Sequence, residues 1–385
     1  MAKGLTDLIQ DSGSAKPQHW INEALTMQKK LLQGIGTMIS MQDVDADLTP
    51  KKLVFHQDKM RLFHYKPMVT NPVPVPVLIV NTLVNRQYMM DLHRERSVIH
   101  TFQEQGLDVY IIDWGYPDQS DKYLSMEDYI DEYLNDAVDT VRKETGIDKI
   151  NLLGIYQGGT FSVIYSALYP EKVKNLVTMV APIDFSTNDG ILYSWGKYLN
   201  IDNLVDAFGV IPGAFMNPGF LMLKPFLLSL DKHAGIIDNL DDPDAVRDFL
   251  SLEKWLFDSP GQAGEAFRKF VKDLFQANLL VQNKMELGGR TVDLKKIDMP
   301  LLTVLAEQDH LVPPASTLPL NDLVASKDKE IIHFPGGHIG TLVSSSAHRK
   351  LAPAIARWLA DRSAPDGKKG PEKRESARSK SSPVN

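Results

Sequence analysis

The sequence predicts a doubly wound α/β fold, a mostly parallel sheet with helices on both faces. Three observations lead there. Most of its strands read as continuous apolar runs, they alternate with helical stretches, and one of them enters a Gly-x-Tyr-x-Gly turn that opens directly into a helix.

The strands are Val75–Val80, Leu107–Trp114, Lys149–Ile155, Asn175–Pro182, Pro300–Ala306 and Lys329–Phe334. A strand covered on both faces has no solvent side, so it is apolar along its length instead of alternating. Helical spacing fills the gaps at His93–Glu104, Met126–Thr145, Thr160–Leu168 and Ala347–Leu359. Residues 51–185 and 297–362 are therefore expected to form one α/β core.

Residues 186–296 break the alternation. They carry helical stretches, Asp244–Phe257 and Gly261–Ala277, and the aromatics Trp195, Phe208, Phe215, Phe220, Phe226, Trp255 and Phe257. A helical insertion late in an α/β sheet reads as a cap over the active site; a second independent domain is the alternative. As a cap, its aromatics Phe208, Phe215 and Phe220 are expected to cover the site until substrate or partner binds. Residues 1–50 read as an N-terminal helical segment. Within it, Trp20–Met41 has helical apolar spacing and either packs on its own domain or docks a partner. The stretch 363–385 is rich in Lys, Ser and Pro, and is expected to be disordered because it has too little apolar surface to bury.

Composition narrows the function classes. The 385 residues are 43% hydrophobic and 24% charged, an ordinary globular profile, with a net charge of −7 that gives no reason to expect nucleic acid. There is no cysteine, which excludes disulfides, thiolate catalysis and Cys-based metal sites. The scattered histidines have no strong metal spacing, and no metal or redox cofactor is expected. Gly190–Lys197 imitates a phosphate loop, but its spacing is a residue too long and Tyr198 stands where Ser or Thr should. No signal peptide is readable in Met1–Gln18 and no apolar run is long enough to span a bilayer, so a cytoplasmic protein is expected.

The chemistry is carried by Ile150-Asn-Leu-Leu-Gly154-Ile-Tyr156-Gln157-Gly158-Gly-Thr160. A buried strand running through Gly-x-Tyr-x-Gly into a helix is the frame of a nucleophile elbow, which lifts its central side chain above the sheet. Gly154 and Gly158 flank the turn where a Cβ would clash. The backbone N–H of Gln157, at the new helix N-terminus, is placed to stabilise an oxyanion. Downstream, Glu307-Gln-Asp309-His310 follows one strand and Gly336-Gly-His338 follows the next. Nucleophile position, acid and histidine in that chain order, each past the carboxyl end of a strand, is the order of the α/β-hydrolase fold. The bland readings are Asp309 as a turn former and His338 as a loop histidine; His310 reads as supporting.

Six ordered motifs resemble the polyhydroxyalkanoate synthases: Asn81–Arg86, Asp113–Asp118, Asn151–Gly159, Glu253–Asp258, Asp309–Pro314 and Phe334–His338. The resemblance spans about residues 20 to 360 and is greatest to the class III catalytic subunit. It implies an α/β hydrolase with a mostly helical cap, an acyltransferase that polymerises (R)-3-hydroxyacyl-coenzyme A, 3-hydroxybutyryl above all, on cytoplasmic granules. It also implies a non-catalytic class III partner subunit, a dimer or hetero-oligomer, and no cofactor beyond the coenzyme A thioester itself as substrate. Carried over, His338 matches the histidine, Asp309 the aspartate, Gln157 the residue after the nucleophile, and the Leu83–Val84 loop the second oxyanion donor.

The family's cysteine falls at Tyr156. A phenol gives up its proton less readily than a thiol, ~10 against ~8.5, and its oxygen lies several ångströms too far out. Three readings follow: an inactive homologue acting as a granule- or partner-binding protein, a nucleophile variant of a working synthase, or a tyrosine that itself acts. An esterase or depolymerase of the same fold is a further alternative, without its usual serine.

Overall fold

An eight-stranded sheet runs through the computed structural model, which describes residues 49–92, 96–216 and 242–363. The helix expected over Trp20–Met41, the cap residues Phe220 and Phe226, and the tail beyond Ser363 lie outside the described residues. In chain order the strands are β1 Lys52–Gln57, β2 Met60–Tyr65, β3 Val77–Val80, β4 Val109–Asp113, β5 Ile150–Ile155, β6 Val173–Met179, β7 Val210–Ile211, β8 Gln262–Ala263, β9 Glu286–Leu287, β10 Arg290–Thr291, β11 Leu301–Ala306 and β12 Lys329–Phe334. The large sheet has the order β1-β2-β4-β3-β5-β6-β11-β12. Every pairing from β4 to β12 is parallel, and only β2 runs against its neighbours β1 and β4.

The two faces of the sheet bury different side chains of the same strands, as the two-residue period of a strand requires. Leu78, Tyr110, Leu152 and Leu176 join one cluster with Phe161, Ile164 and Tyr165 of the helix Gln157–Leu168 and Val138 of the helix Asn135–Thr145. Ile79, Ile111, Leu153 and Val177 join the other with Ile99 and Phe102 of Val98–Glu104 and with Ile355 and Leu359 of Ala352–Arg362. Local signals set the helix ends. Ser97 accepts from the N–H of His100 at 2.8 Å, and Gly146 closes Asn135–Thr145 in the left-handed conformation (φ 70°).

The segment expected as a cap divides into two kinds of packing. Ala263, Phe270, Leu274, Leu280, Met285, Leu287, Val292 and Leu294 belong to the same hydrophobic cluster as the sheet. The first part packs Ile201, Val205 and Ile211 in a small separate cluster with Val271 of the later part, and the pair β7–β8 also ties the two together. Phe208 and Phe215 pair with each other, ring centroids 5.5 Å apart, and both are exposed. The helix Pro243–Phe257 instead sends Trp255 into the cluster that contains Tyr156.

Candidate active site

The parallel strands β5, β11 and β12 end on one edge, and the loops leaving them bring Tyr156, Asp309 and His338 together. Tyr156 is the single residue between β5 and the helix Gln157–Leu168. Its backbone is forced to φ 54°, ψ −121°, a conformation that a side chain adopts only under strain and that aims the side chain away from the sheet. Its own N–H donates to the Met179 carbonyl (3.0 Å), and its carbonyl accepts from Gly159 N–H (2.9 Å), so strand and helix hold the turn from both sides.

Close approach explains the glycines. A Cβ on Gly158 would sit 2.2 Å from the Val80 carbonyl oxygen, and one on Gly154 would sit 2.5 Å from the Cα of Gly159. Both are backbone obstacles with no side chain to move aside, so the elbow cannot form with larger residues there.

Asp309 is buried, and both of its oxygens are used. Oδ1 accepts from the N–H groups of Leu311 (2.8 Å) and Val312 (2.9 Å), and Oδ2 faces His338 Nδ1 at 2.7 Å. That contact fixes the imidazole ring and leaves Nε2 as the atom able to take up a proton. The dyad is thus the base half of a nucleophilic site, with its orienting carboxylate in place.

Tyr156 does not complete that site. Its ring stacks on the His338 imidazole, centroids 3.9 Å apart and planes 21° apart. Its hydroxyl donates to the His338 carbonyl oxygen (3.1 Å) and lies 3.4 Å from Thr341 Oγ1, so it meets neither ring nitrogen. Burial pushes the phenol's proton affinity well above the ordinary tyrosine value; the Thr341 contact opposes this and the Asp309 charge adds to it. A base whose ring nitrogens do not meet the phenol's hydroxyl cannot take its proton to give a phenolate.

The N–H groups expected as oxyanion donors are set up unequally. Gln157 opens its helix, so its N–H has no acceptor within that helix. Leu83 N–H points at position 157 and donates to the Gln157 side-chain oxygen at 3.3 Å. Val84 N–H faces the Thr82 hydroxyl at 3.4 Å instead. His310 follows Asp309 on the same loop, and its carbonyl lies close to Gly190, where the inserted segment begins.

Four residues at the site were not singled out from the sequence. Thr341, three residues past His338, is buried and donates to the His338 carbonyl (2.7 Å). Arg86, Trp255 and Asp258 join the inserted segment to the Leu83 loop. Trp255 Nε1 donates to the Arg86 carbonyl (3.0 Å), Arg86 Nη2 donates to buried Asp113 (2.8 Å), and Asp258 accepts from the hydroxyls of Tyr88 (2.8 Å) and Tyr116. The Arg86 guanidinium also lies over the Tyr116 ring, 4.1 Å from its centre. Their signal was available, since Arg86, Trp255 and Asp258 all fall inside quoted motifs. Thr341 had none. Among the described residues, no group of His, Asp and Glu could hold a metal ion.

Comparison with known proteins bears on the family and the fold. A family model described as alpha/beta hydrolase fold matches residues 75–344, and one described as poly-beta-hydroxybutyrate polymerase (PhaC) N-terminus matches residues 2–102. The poly(3-hydroxyalkanoate) polymerase subunit PhaC of Allochromatium vinosum is 48% identical over 349 residues, covering 90% of this chain and 98% of its own length. The PhaC subunit of a Synechocystis species is 46% identical, covering 89% and 93%. Among solved structures, a monoacylglycerol lipase of Paleococcus ferrophilus superposes with a TM-score of 0.52 at 18% identity, covering 79% of this chain and 99% of its own, a likeness of fold alone.

Proposed function

The chain belongs to the PhaC family of poly(3-hydroxyalkanoate) polymerases and is built on the alpha/beta hydrolase fold; from that premise we propose that it is a polymerase subunit whose site is laid out for acyl transfer from a (R)-3-hydroxyacyl-coenzyme A thioester, with its nucleophile position filled by Tyr156. His338, oriented by Asp309, is the base for the nucleophile and for the incoming hydroxyl. Gln157 N–H and Leu83 N–H are the oxyanion donors, Leu83 once the Gln157 side chain has turned away. Supporting contacts come from the Asp309–His310 loop and the elbow glycines Gly154 and Gly158.

One observation carries the reading: Tyr156 sits at the strained elbow beside an intact Asp309–His338 pair, yet its hydroxyl turns to the His338 carbonyl. An acyl group needs an attacking atom within reach of Nε2 and the oxyanion donors. The phenol oxygen is not there, so this chain does not form the acyl intermediate unaided. A thiol at position 156 is shorter and lies on the inner side of that ring, where attack becomes possible.

The same observation favours a second reading for the chain as it stands. Without turnover, it acts as a partner- or granule-binding subunit beside an active polymerase in the cytoplasm, with the non-catalytic class III subunit as its natural partner. No helix among the described residues is long and apolar enough to cross a membrane. The two readings separate on coenzyme A release from (R)-3-hydroxybutyryl-coenzyme A by the chain and by Tyr156→Cys, each with a class III partner subunit. Release by Tyr156→Cys alone supports the acyl-transfer layout; silence from both supports the binding role.

A further inference from the structure

We propose that the His338 carbonyl oxygen and the Thr341 hydroxyl form the seat for the 3-hydroxyl of the acyl group, and that Tyr156 fills this seat as a covalent stand-in for an acylated nucleophile. The inference rests on position 156 being the nucleophile position. It adds a residue, Thr341, that selects 3-hydroxylated acyl groups over plain ones.

The geometry begins with a covalent coincidence. From Cα, the phenol oxygen of a tyrosine is as many bonds away as the 3-hydroxyl oxygen of a 3-hydroxyacyl group carried on a cysteine sulfur. Both oxygens end a chain that leaves the same elbow in the same direction, so both reach the same depth. In Tyr156 that oxygen is the hydroxyl that lies 3.1 Å from the His338 carbonyl and 3.4 Å from Thr341 Oγ1. The ring between has its face on the imidazole at 3.9 Å, which is where the short carbon chain of such an acyl group would pack.

The seat is made to accept a donor. Thr341 spends its own proton on the His338 carbonyl (2.7 Å), so its oxygen presents lone pairs to a newcomer. The carbonyl has a second lone pair, which Tyr156 now takes. Thr341 is 1% exposed and Tyr156 7%, so water would not easily replace a missing partner there. The newcomer's single proton is shared between the carbonyl and Thr341 Oγ1, as the phenol's is at 3.1 and 3.4 Å. An acyl group without a 3-hydroxyl leaves the second lone pair of the carbonyl and the lone pairs of Thr341 facing hydrocarbon, which is costly.

The chemistry read out is acylation of Tyr156→Cys. The thiol proton passes to His338 Nε2 and the sulfur attacks the thioester carbonyl. The bond from that carbon to the coenzyme A sulfur then breaks, and the departing thiolate takes the proton from Nε2. One coenzyme A is released per acyl group bound.

The test compares (R)-3-hydroxybutyryl-coenzyme A with butyryl-coenzyme A as acyl donors to Tyr156→Cys, alone and combined with Thr341→Val or Thr341→Ser. The expected result is a preference for the hydroxylated donor that falls about threefold with Thr341→Val, since the proton loses one of its two acceptors and keeps the His338 carbonyl, and returns with Thr341→Ser. An unchanged ratio in Thr341→Val overturns the proposal. A second measurement does not need catalysis. Tyr156→Ala opens the phenol's space, and ethyl (R)-3-hydroxybutyrate should raise its melting temperature more than ethyl butyrate does, a difference that Thr341→Val narrows. Equal shifts from the two esters overturn the seat. If Tyr156→Cys takes up neither acyl group while Tyr156→Ala still prefers the hydroxylated ester, the nucleophile assignment fails and Tyr156's part as a stand-in falls with it, leaving only a seat for a hydroxyl.

Discussion

The ring of Tyr156 lies against the imidazole of His338, 3.9 Å between centroids, while the hydroxyl passes the ring nitrogens and ends on the His338 main-chain carbonyl. A base and a candidate nucleophile are in full contact without sharing a proton. The Asp309 carboxylate and the strained elbow adjoin that contact, so the consequences of changing these residues can be stated.

Asp309→Asn, placed in the Tyr156→Cys background, should lower coenzyme A release about a hundredfold to ten-thousandfold without unfolding the protein. An asparagine oxygen can still accept from Leu311 and Val312 N–H, which preserves the loop. Its amide cannot support a proton held on the imidazole as the carboxylate does. Single-turnover release, with far-ultraviolet circular dichroism as the control for folding, checks this.

Alkaline stability should respond to Tyr156. Burial raises its proton affinity in the folded state, while in the unfolded chain it titrates near ~10. The unfolded chain therefore loses the proton first. Stability is whole below that pH and falls above it, up to the folded value. Tyr156→Phe should remove about 1.4 kcal/mol per pH unit from that decline. Urea unfolding of both proteins at pH 9 and pH 11 measures it; identical losses would contradict the account.

Gly158→Ala should cost at least about 3 kcal/mol or prevent folding, because the added methyl meets the main chain at Val80 and Asn81. Gly289→Ala is the contrast. Its Cβ meets nothing within 4 Å, so only its left-handed backbone (φ 71°) opposes the change. Thermal unfolding of the two variants should separate them clearly.

Asp258 joins two phenols of the core side to the end of the helix Pro243–Phe257. Asp258→Ala should cost about 1–3 kcal/mol, since Tyr88 and Tyr116 lose their acceptor. The loss should be local. Hydrogen exchange should speed up in 243–257 and in the Leu83–Arg86 loop, with the β5 and β6 amides unchanged.

What the sequence disclosed follows from what each signal depends on. Strands β3 to β6 and β11 were readable because burial on both faces makes them largely apolar, while β12, at the sheet's far edge and mostly exposed, was marked only by the short run Ile331-Ile332 and by Phe334. The hairpin β1–β2 was not singled out. β1, at the sheet's edge, is exposed or half-buried along its length, and β2 interleaves buried Met60, Leu62 and Tyr65 with Arg61 and His64, so no apolar run marks either strand. Tyr156, Asp309 and His338 were legible from chain order, since the fold brings the ends of β5, β11 and β12 to one edge. Gln157 was placed by its N–H, but its side chain's hold on Leu83 depends on a rotamer that sequence does not encode. Thr341 acquires its meaning only from the oxygen of Tyr156, which is far away in sequence. Likewise, the packing of Phe270, Leu274 and Leu294 with the sheet blurs the boundary between core and cap, and no local pattern announces it.

The central claim is that the scaffold lacks only a reachable nucleophile at position 156. Coenzyme A release from (R)-3-hydroxybutyryl-coenzyme A, followed for the chain, Tyr156→Cys and Tyr156→Phe with a class III partner subunit, tests it most directly. The account predicts release and polymer from Tyr156→Cys and none from the other two. Release by the unaltered chain that disappears in Tyr156→Phe would contradict it, because the phenol would then be the attacking group.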